Sequence, residues 1–170
     1  MERIPADGWQ EYRGHVDRYL LAADWCRTGD RVLDAACGVG YGAQVICSRV
    51  AVDYTGVDRP GVVDARFYGY GAFVGADLDA WSPPGRYDLG VCFETLEHVG
   101  DPARLAGLLD GCCDRLIVSA PTVPTAAVNP HHLHDFTLDS LLALFPGRPV
   151  LEVVDQRAEL SHVVTFGERQ

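Results

Sequence analysis

The sequence predicts an α/β fold: a mostly parallel, seven-stranded sheet with helices on both faces and an antiparallel pair of strands at the C-terminal end. Three observations predict it. Short apolar runs alternate with segments of helical spacing, the pattern of a parallel sheet covered on both faces. One run passes at once into a glycine turn, residues 37–42, and then a helix, and ligands in such sheets sit beyond the carboxyl ends of the strands. The last two runs are joined by a short polar turn, too short for a parallel crossover.

The elements follow in order. Val16, Leu20 and Ala23 share a helical face, with Tyr12 and Tyr19 nearby, and Gly29 is placed to end that helix. Residues 31–36 read as a buried strand, residues 37–42 as a glycine turn and residues 43–49 as a short helix. A second strand spans 50–57 and ends at Asp58. Pro60, Gly61, Gly69 and Gly71 make 59–71 a loop with at most a short helix. Residues 72–75 form a short strand, and 87–93 a central one.

Asp101 and Pro102 start a helix as N-cap and first residue, Leu105, Leu108 and Leu109 share its apolar face, and Gly111 stops it. Residues 115–119 form the fifth strand. Thr137 caps a helix whose apolar face is Leu138, Leu141, Leu142 and Phe145, and Pro146-Gly147 breaks it. Residues 150–154 and 160–166 close the sheet.

The 170 residues suffice for one α/β core, so residues 1–170 are expected to form a single domain. The net charge of −10 and the scatter of Lys and Arg argue against nucleic acid or an anionic membrane as partner. No apolar run approaches the roughly 20 residues of a membrane span. Met1 to Gly8 lack the apolar core of a secretory leader, and a cytoplasmic location is expected. The six cysteines form no C-x-x-C pair and read as buried free thiols.

The segment Val32-Leu33-Asp34-Ala35-Ala36-Cys37-Gly38-Val39-Gly40-Tyr41-Gly42-Ala43 carries the most information. Glycines there let a ligand approach the main chain. Gly38, Gly40 and Ala43 formally match the dinucleotide fingerprint, and Asp58 falls where that fingerprint wants a ribose acid. Asp34 separates the readings. Beside a pyrophosphate its carboxylate is repulsive; beside an ammonium and a sulfonium it is favourable.

Leu33-Asp34-x-x-Cys37-Gly38-x-Gly40 resembles motif I of the class I S-adenosylmethionine-dependent methyltransferases. Tyr54-Thr55-Gly56-Val57-Asp58 and Gly75-Ala76-Asp77-Leu78 resemble that family's second- and third-strand motifs. The run from Tyr87 to Val99, ending Leu96-Glu97-His98-Val99, is similar to motif IV of its small-molecule branch. The resemblance spans roughly residues 12 to 145 and implies a Rossmann-like sheet with S-adenosylmethionine as cofactor. It also implies that Asp58 holds the ribose hydroxyls and Asp77 the adenine amino group, the alternatives being a turn acid and a helix cap. Leu78, next to Asp77 in that motif, is counted with the cofactor-binding residues. Glu94 would lie near the cofactor's methionine part or be a solvated loop acid, with Cys37, Gly38, Gly40 and Tyr41 in the turn and Tyr12 on the covering helix. Arg13 pairs with the methionine carboxylate or is simply solvated, and Trp9 and Trp81 touch the acceptor or simply pack. The connectors after Asp58 and Asp77 are shorter than the family usually has.

Asn129-Pro130-His131-His132-Leu133-His134-Asp135 is the second cluster. The mixed spacing does not reproduce a helical H-x-x-x-H pair, and no partner motif is evident, so no metal is expected. An Asn-Pro-x-His segment before an aromatic-Thr helix start resembles one found above the cofactor in that family. His131 or His134 would then be a general base, or a loop-ordering residue. His98 either reaches cofactor or acceptor or packs in a turn. The expected function is methyl transfer to a small-molecule acceptor. The alternatives are a non-catalytic cofactor-binding module acting with a partner chain, and a nucleotide-dependent oxidoreductase, which Asp34 disfavours; the chain is expected to act alone, as a homodimer or with a partner chain.

Overall fold

The structure is a computed structural model that describes residues 4–169. The opening of the Met1–Gly8 segment, residues 1–3, lies outside it. The elements are α1 (Arg13–Trp25), β1 (Arg31–Ala35), α2 (Tyr41–Cys47), β2 (Asp53–Asp58), β3 (Ala72–Gly75), β4 (Tyr87–Phe93), α3 (Pro102–Cys112), β5 (Cys113–Pro121), α4 (Leu138–Leu142), β6 (Val150–Gln156) and β7 (Ser161–Phe166). Three short 3-10 turns, Trp9–Glu11, Ala65–Phe67 and Arg157–Glu159, complete the described elements.

The seven strands lie in the order β3-β2-β1-β4-β5-β7-β6. The first five are parallel to one another, and β7 is antiparallel to both β5 and β6, as expected. Chain order reverses between β1 and β4. A ligand crevice opens at such a point, beyond the carboxyl ends of the strands.

Strand alternation sorts the core. Leu33 and Ala35 face one layer with Leu105, Leu109, Phe136 and Leu141. Val32 and Val91 face the other with Tyr19, Ala22, Ala43 and Ile46. The sheet is therefore buried on both sides, α1 and α2 on one, α3 and α4 on the other.

Several boundaries differ from expectation, each for a physical reason. Helix α1 ends at Trp25, not Gly29, because the Arg115 guanidinium from β5 takes the Trp25 carbonyl at 2.5 Å. Its buried face is Arg18, Tyr19, Ala22 and Ala23 rather than one centred on Val16 and Leu20. Gly29 instead forms a turn at φ +91°, donating to the Ala51 carbonyl at 2.8 Å, and β2 begins only at Asp53. Helix α2 starts at Tyr41, with Gly40 as its left-handed N-cap at φ +101°. Gly42 belongs to that helix: a Cβ there would meet the Tyr19 ring at 2.2 Å, so it sets the close approach of α1 and α2.

Helix α3 begins as expected, with the Asp101 side chain accepting from Arg104 N, but runs through Gly111 into β5. Arg148 makes that possible. Its guanidinium donates to the carbonyls of Asp110 and Cys113 at 2.8 and 2.6 Å, capping the end without a glycine turn. Thr137 caps α4 through Ser140 in a capping box, and the helix stops at Leu142, short of Pro146. All six cysteines are unbridged.

Candidate functional site

The loops at the carboxyl ends of β1, β2, β4 and β5 enclose a cavity of about 430 Å³. Tyr12, Cys37, Gly38, Tyr41, Asp58, Glu94, Glu97, His98 and His132 are among its lining. A second cavity of about 320 Å³ shares Asp58 and is lined by Asp77, Leu78 and His131. Asp58 thus stands where the two meet.

The glycine turn presents backbone. Gly38 sits at φ +58°, and a Cβ there would meet nothing within 4 Å, so the turn leaves room for a ligand against the main chain. Its amide donates to Asp58 Oδ2 at 2.9 Å, while Arg59 N donates to Oδ1 at 2.7 Å. The turn therefore meets a ligand with a carboxylate already on its amide. Gly40 shapes the turn and does not line the cavity.

Asp34 corrects an expectation. It lines neither cavity and is fully buried beneath the turn. Its Oδ2 accepts from the Tyr19 hydroxyl at 2.9 Å and from the Tyr54 hydroxyl. Burial pushes its carboxyl up to about 7 despite both donors. The acid that confronts a ligand at this turn is Asp58, 20 residues after Gly38, and its carboxylate is the one that a pyrophosphate would meet.

Glu94 follows β4 in a left-handed conformation, φ +47°. Such strain in a non-glycine residue persists where surroundings over-determine it. Ser119 and Ser161 donate to its two oxygens at 2.7 and 2.9 Å, and Arg18 Nη2 lies 3.4 Å away. Arg18 is the residue that sequence reading missed. It is buried, donates through Nε to Gln156 at 2.7 Å, and stands behind Glu94. Its place beside Tyr19, Ala22 and Ala23 at helical spacing was the sign that it faces inward. Arg13, expected either to pair with the methionine carboxylate or to be solvated, is exposed. His15 was missed too. It lines the larger cavity, and burial, with Arg18 nearby, lowers its imidazole to about 4, so it is neutral at pH 7.

Asp77 lines the smaller cavity and also accepts from Asp79 N at 3.1 Å, so both anticipated uses fit its position. Neither Trp9 nor Trp81 lines either of these two cavities. Trp9 stacks on Tyr41 at 5.1 Å, and Trp81 packs against the core.

The histidine loop docks on the loop after β4. Leu133 N donates to the Glu97 carbonyl at 2.7 Å, and His98 Nδ1 lies 2.8 Å from the His131 carbonyl. Asp135 anchors the far side, accepting from the amides of Thr125 and Ala126. Rather than holding the loop extended, Asn129 and Pro130 form a turn in which His132 N donates to Asn129 O. The three histidines diverge. His134 lines neither cavity; its Nε2 is tied to the Val99 carbonyl at 2.9 Å, which corrects its expected role as a base. His131 faces the smaller cavity. His132, which was not singled out, faces the larger one, its ring 4.7 Å from that of His98. No partner motif is evident for this loop in the sequence, but docking brings His132 beside Glu97 and His98. Ligand atoms of Glu97, His98 and His132 all lie within 4.8 Å of one another. Burial, with Glu94 nearby, holds the Glu97 carboxyl well above the ordinary range.

Comparison with known proteins decides the family. The methyltransferase-domain family matches residues 9–146. The chain belongs to the class I S-adenosylmethionine-dependent methyltransferases. It is 33% identical over 149 residues to a probable S-adenosylmethionine-dependent methyltransferase of Mycobacterium tuberculosis, covering 78% of this chain and 53% of that protein. It is 36% identical over 87 residues to a ubiquinone biosynthesis O-methyltransferase of Bordetella bronchiseptica, covering 46% and 36%. The chain thus spans about half, or less, of the length of these relatives. In fold it is similar to magnesium protoporphyrin IX methyltransferase from Synechocystis with bound S-adenosylmethionine, with a TM-score of 0.72, 21% identity, and 96% and 82% of the two chains covered. The Rossmann-like sheet implied by the motifs is the one found. Among the described residues no helix is long and apolar enough to cross a membrane.

Proposed function

We propose that this methyltransferase binds S-adenosylmethionine as a single domain and transfers its methyl group to a small-molecule acceptor. The bond between Gly38 N and Asp58 carries the reading. In a dinucleotide site that amide donates to pyrophosphate. Here a carboxylate holds it, so the turn suits a cationic cofactor without phosphate and repels a phosphorylated one.

The residues present fit that cofactor. Asp58 and Asp77 would hold its ribose and adenine, with Leu78 against the base. Cys37, Gly38 and Tyr41 would line its middle, and Glu94, Tyr12 and the neutral His15 its methionine end. When bound, it supplies the methyl group and a neutral thioether leaving group. The chain's residues align the acceptor and receive its proton. Glu97, His98 and His132 border the larger cavity and mark the acceptor's place. A small acceptor is supported by the ubiquinone biosynthesis relative and by the absence of any clustered basic surface in the sequence.

Incubating the protein with methyl-labelled S-adenosylmethionine and a metabolite extract tests the reading. Label in a small molecule is expected. Label only in macromolecules would overturn the acceptor class.

A further inference from the structure

Glu97, His98 and His132 are brought together by the docking of two loops, and nothing in the mechanism above requires one carboxylate and two imidazoles at one spot. Glu97 follows β4 and its side chain is 1% exposed. Its Oε1 lies 3.8 Å from His98 Nε2, and its Oε2, buried, has no hydrogen-bond partner among the described residues. A buried carboxylate oxygen without a donor is costly unless a cation faces it.

The imidazoles are held in orientations that serve such a cation. With His98 Nδ1 against the His131 carbonyl at 2.8 Å, that nitrogen carries the proton and Nε2 presents its lone pair toward Glu97. His132 Nδ1 lies 2.6 Å from Thr125 Oγ1, and its Nε2 lies 2.9 Å from Asn129 Nδ2. Coordination replaces one of these contacts and keeps the other as the bond that orients the ring.

We propose that Glu97, His98 and His132 form a site for one divalent first-row transition ion, zinc or a close neighbour, on the wall of the larger cavity. Two nitrogens and one carboxylate select such an ion over magnesium or calcium, which take oxygen. Donors about 2.0–2.2 Å from a zinc ion lie roughly 3.3–3.6 Å apart in a tetrahedral site. The present spread, within 4.8 Å, closes to that by about 1 Å of side-chain movement. Three protein ligands leave a position open, and all three residues line the cavity, so the open position faces it. That position would hold an oxygen of the acceptor. This role rests on the methyl-transfer reading; the site itself does not.

The test uses the whole chain, stripped with a chelator and dialysed. Titration with cobalt(II) alone, followed by visible absorption, and with zinc(II) alone, by calorimetry, should each give one equivalent bound. Glu97→Gln and His132→Gln should weaken binding at least tenfold with unchanged circular dichroism. Should Glu97→Gln fail to fold, His132→Gln, on the half-exposed loop, decides. No saturable binding by the folded wild-type chain overturns the proposal. So does equal binding by the variants, or a thiolate-to-cobalt charge-transfer band, which would place the ion on cysteine. Affinity for S-adenosylhomocysteine, measured on the same stripped protein, tests the cofactor reading separately. Its loss would overturn that reading and leave the metal site standing.

Discussion

The Asp58 carboxylate, at the end of the second strand, accepts the amide of Gly38, in the turn after the first strand, at 2.9 Å. Residues 20 apart in sequence thereby join two functions: the shape of the glycine turn and the charge it shows a ligand. Asp58 is nearly buried yet borders both cavities, so anything spanning them passes over it.

Asp58→Ala is expected to weaken S-adenosylhomocysteine binding by roughly 10- to 100-fold. Charge-assisted bonds are each worth about 1.5–3 kcal/mol, and the turn also loses its internal acceptor. Calorimetry measures it, with the wild-type chain showing no heat for NAD. Unchanged affinity in Asp58→Ala would remove Asp58 from the site, and tight NAD binding by the wild type would overturn the choice of cofactor.

Asp34 gives the chain a pH dependence of unusual sign. Its carboxyl rises from an ordinary 3.8 to about 7 on folding, mainly through burial. Between those values the folded chain holds a proton that the unfolded chain has lost. The contribution to stability is therefore full below about pH 4 and lost as pH rises through 7, at up to about 1.4 kcal/mol per unit. His15 acts oppositely. Its imidazole falls from 6.5 to about 4 on folding, so its contribution is present above pH 6.5 and lost as pH falls. Urea denaturation of wild type and Asp34→Asn between pH 5 and 8 separates them. The stability of Asp34→Asn relative to wild type should rise across that range. A constant difference would mean that Asp34 does not titrate there.

The sheet was largely legible in the sequence, and β3 and β4 were bounded to the residue, because each is an apolar run closed by a clear turn. Two of the boundaries that moved are set from a distance. Arg115 ends α1 from 90 residues away, and Arg148 carries α3 past Gly111 from about 35. No local pattern encodes such a cap. The same holds in the site. Asp58 and Glu94 sit at strand ends and could be placed by position alone. The meeting of His132 with Glu97 and His98 could not, because it depends on how two loops dock.

Arg18 and Glu94 give a stability prediction. Arg18 has a fully buried side chain, with Glu94 Oε1 at 3.4 Å, and its two terminal nitrogens lack hydrogen-bond partners among the described residues. Breaking a buried pair by removing one partner costs about 3–5 kcal/mol. Glu94 keeps two serine hydroxyls as donors, so Arg18→Met should lose about 3 kcal/mol. Adding Glu94→Gln should restore part of it, because the lone charge is then gone. Additive losses in the double variant would show that the two side chains do not interact.

The histidine loop yields the sharpest division among neighbouring residues. His134 spends its Nε2 on the Val99 carbonyl and lines no cavity, so His134→Ala should loosen the loop without touching the chemistry. The loss of one partly buried bond costs about 0.5–1.5 kcal/mol. Methyl transfer should then stay within a few-fold of wild type. His98 and His132 face the larger cavity with Glu97 and are expected to orient the acceptor or receive its proton. His98→Ala and His132→Ala should each lower transfer of labelled methyl groups by about 10²–10⁴-fold, the usual range for loss of a proton-transferring group. Both should retain S-adenosylhomocysteine affinity, because the glycine turn and Asp58 are untouched. His131 presents its carbonyl to His98 and its side chain to the smaller cavity, so His131→Ala should resemble wild type in turnover. The reverse outcome, with activity lost in His131→Ala and kept in His132→Ala, would move the acceptor to the smaller cavity.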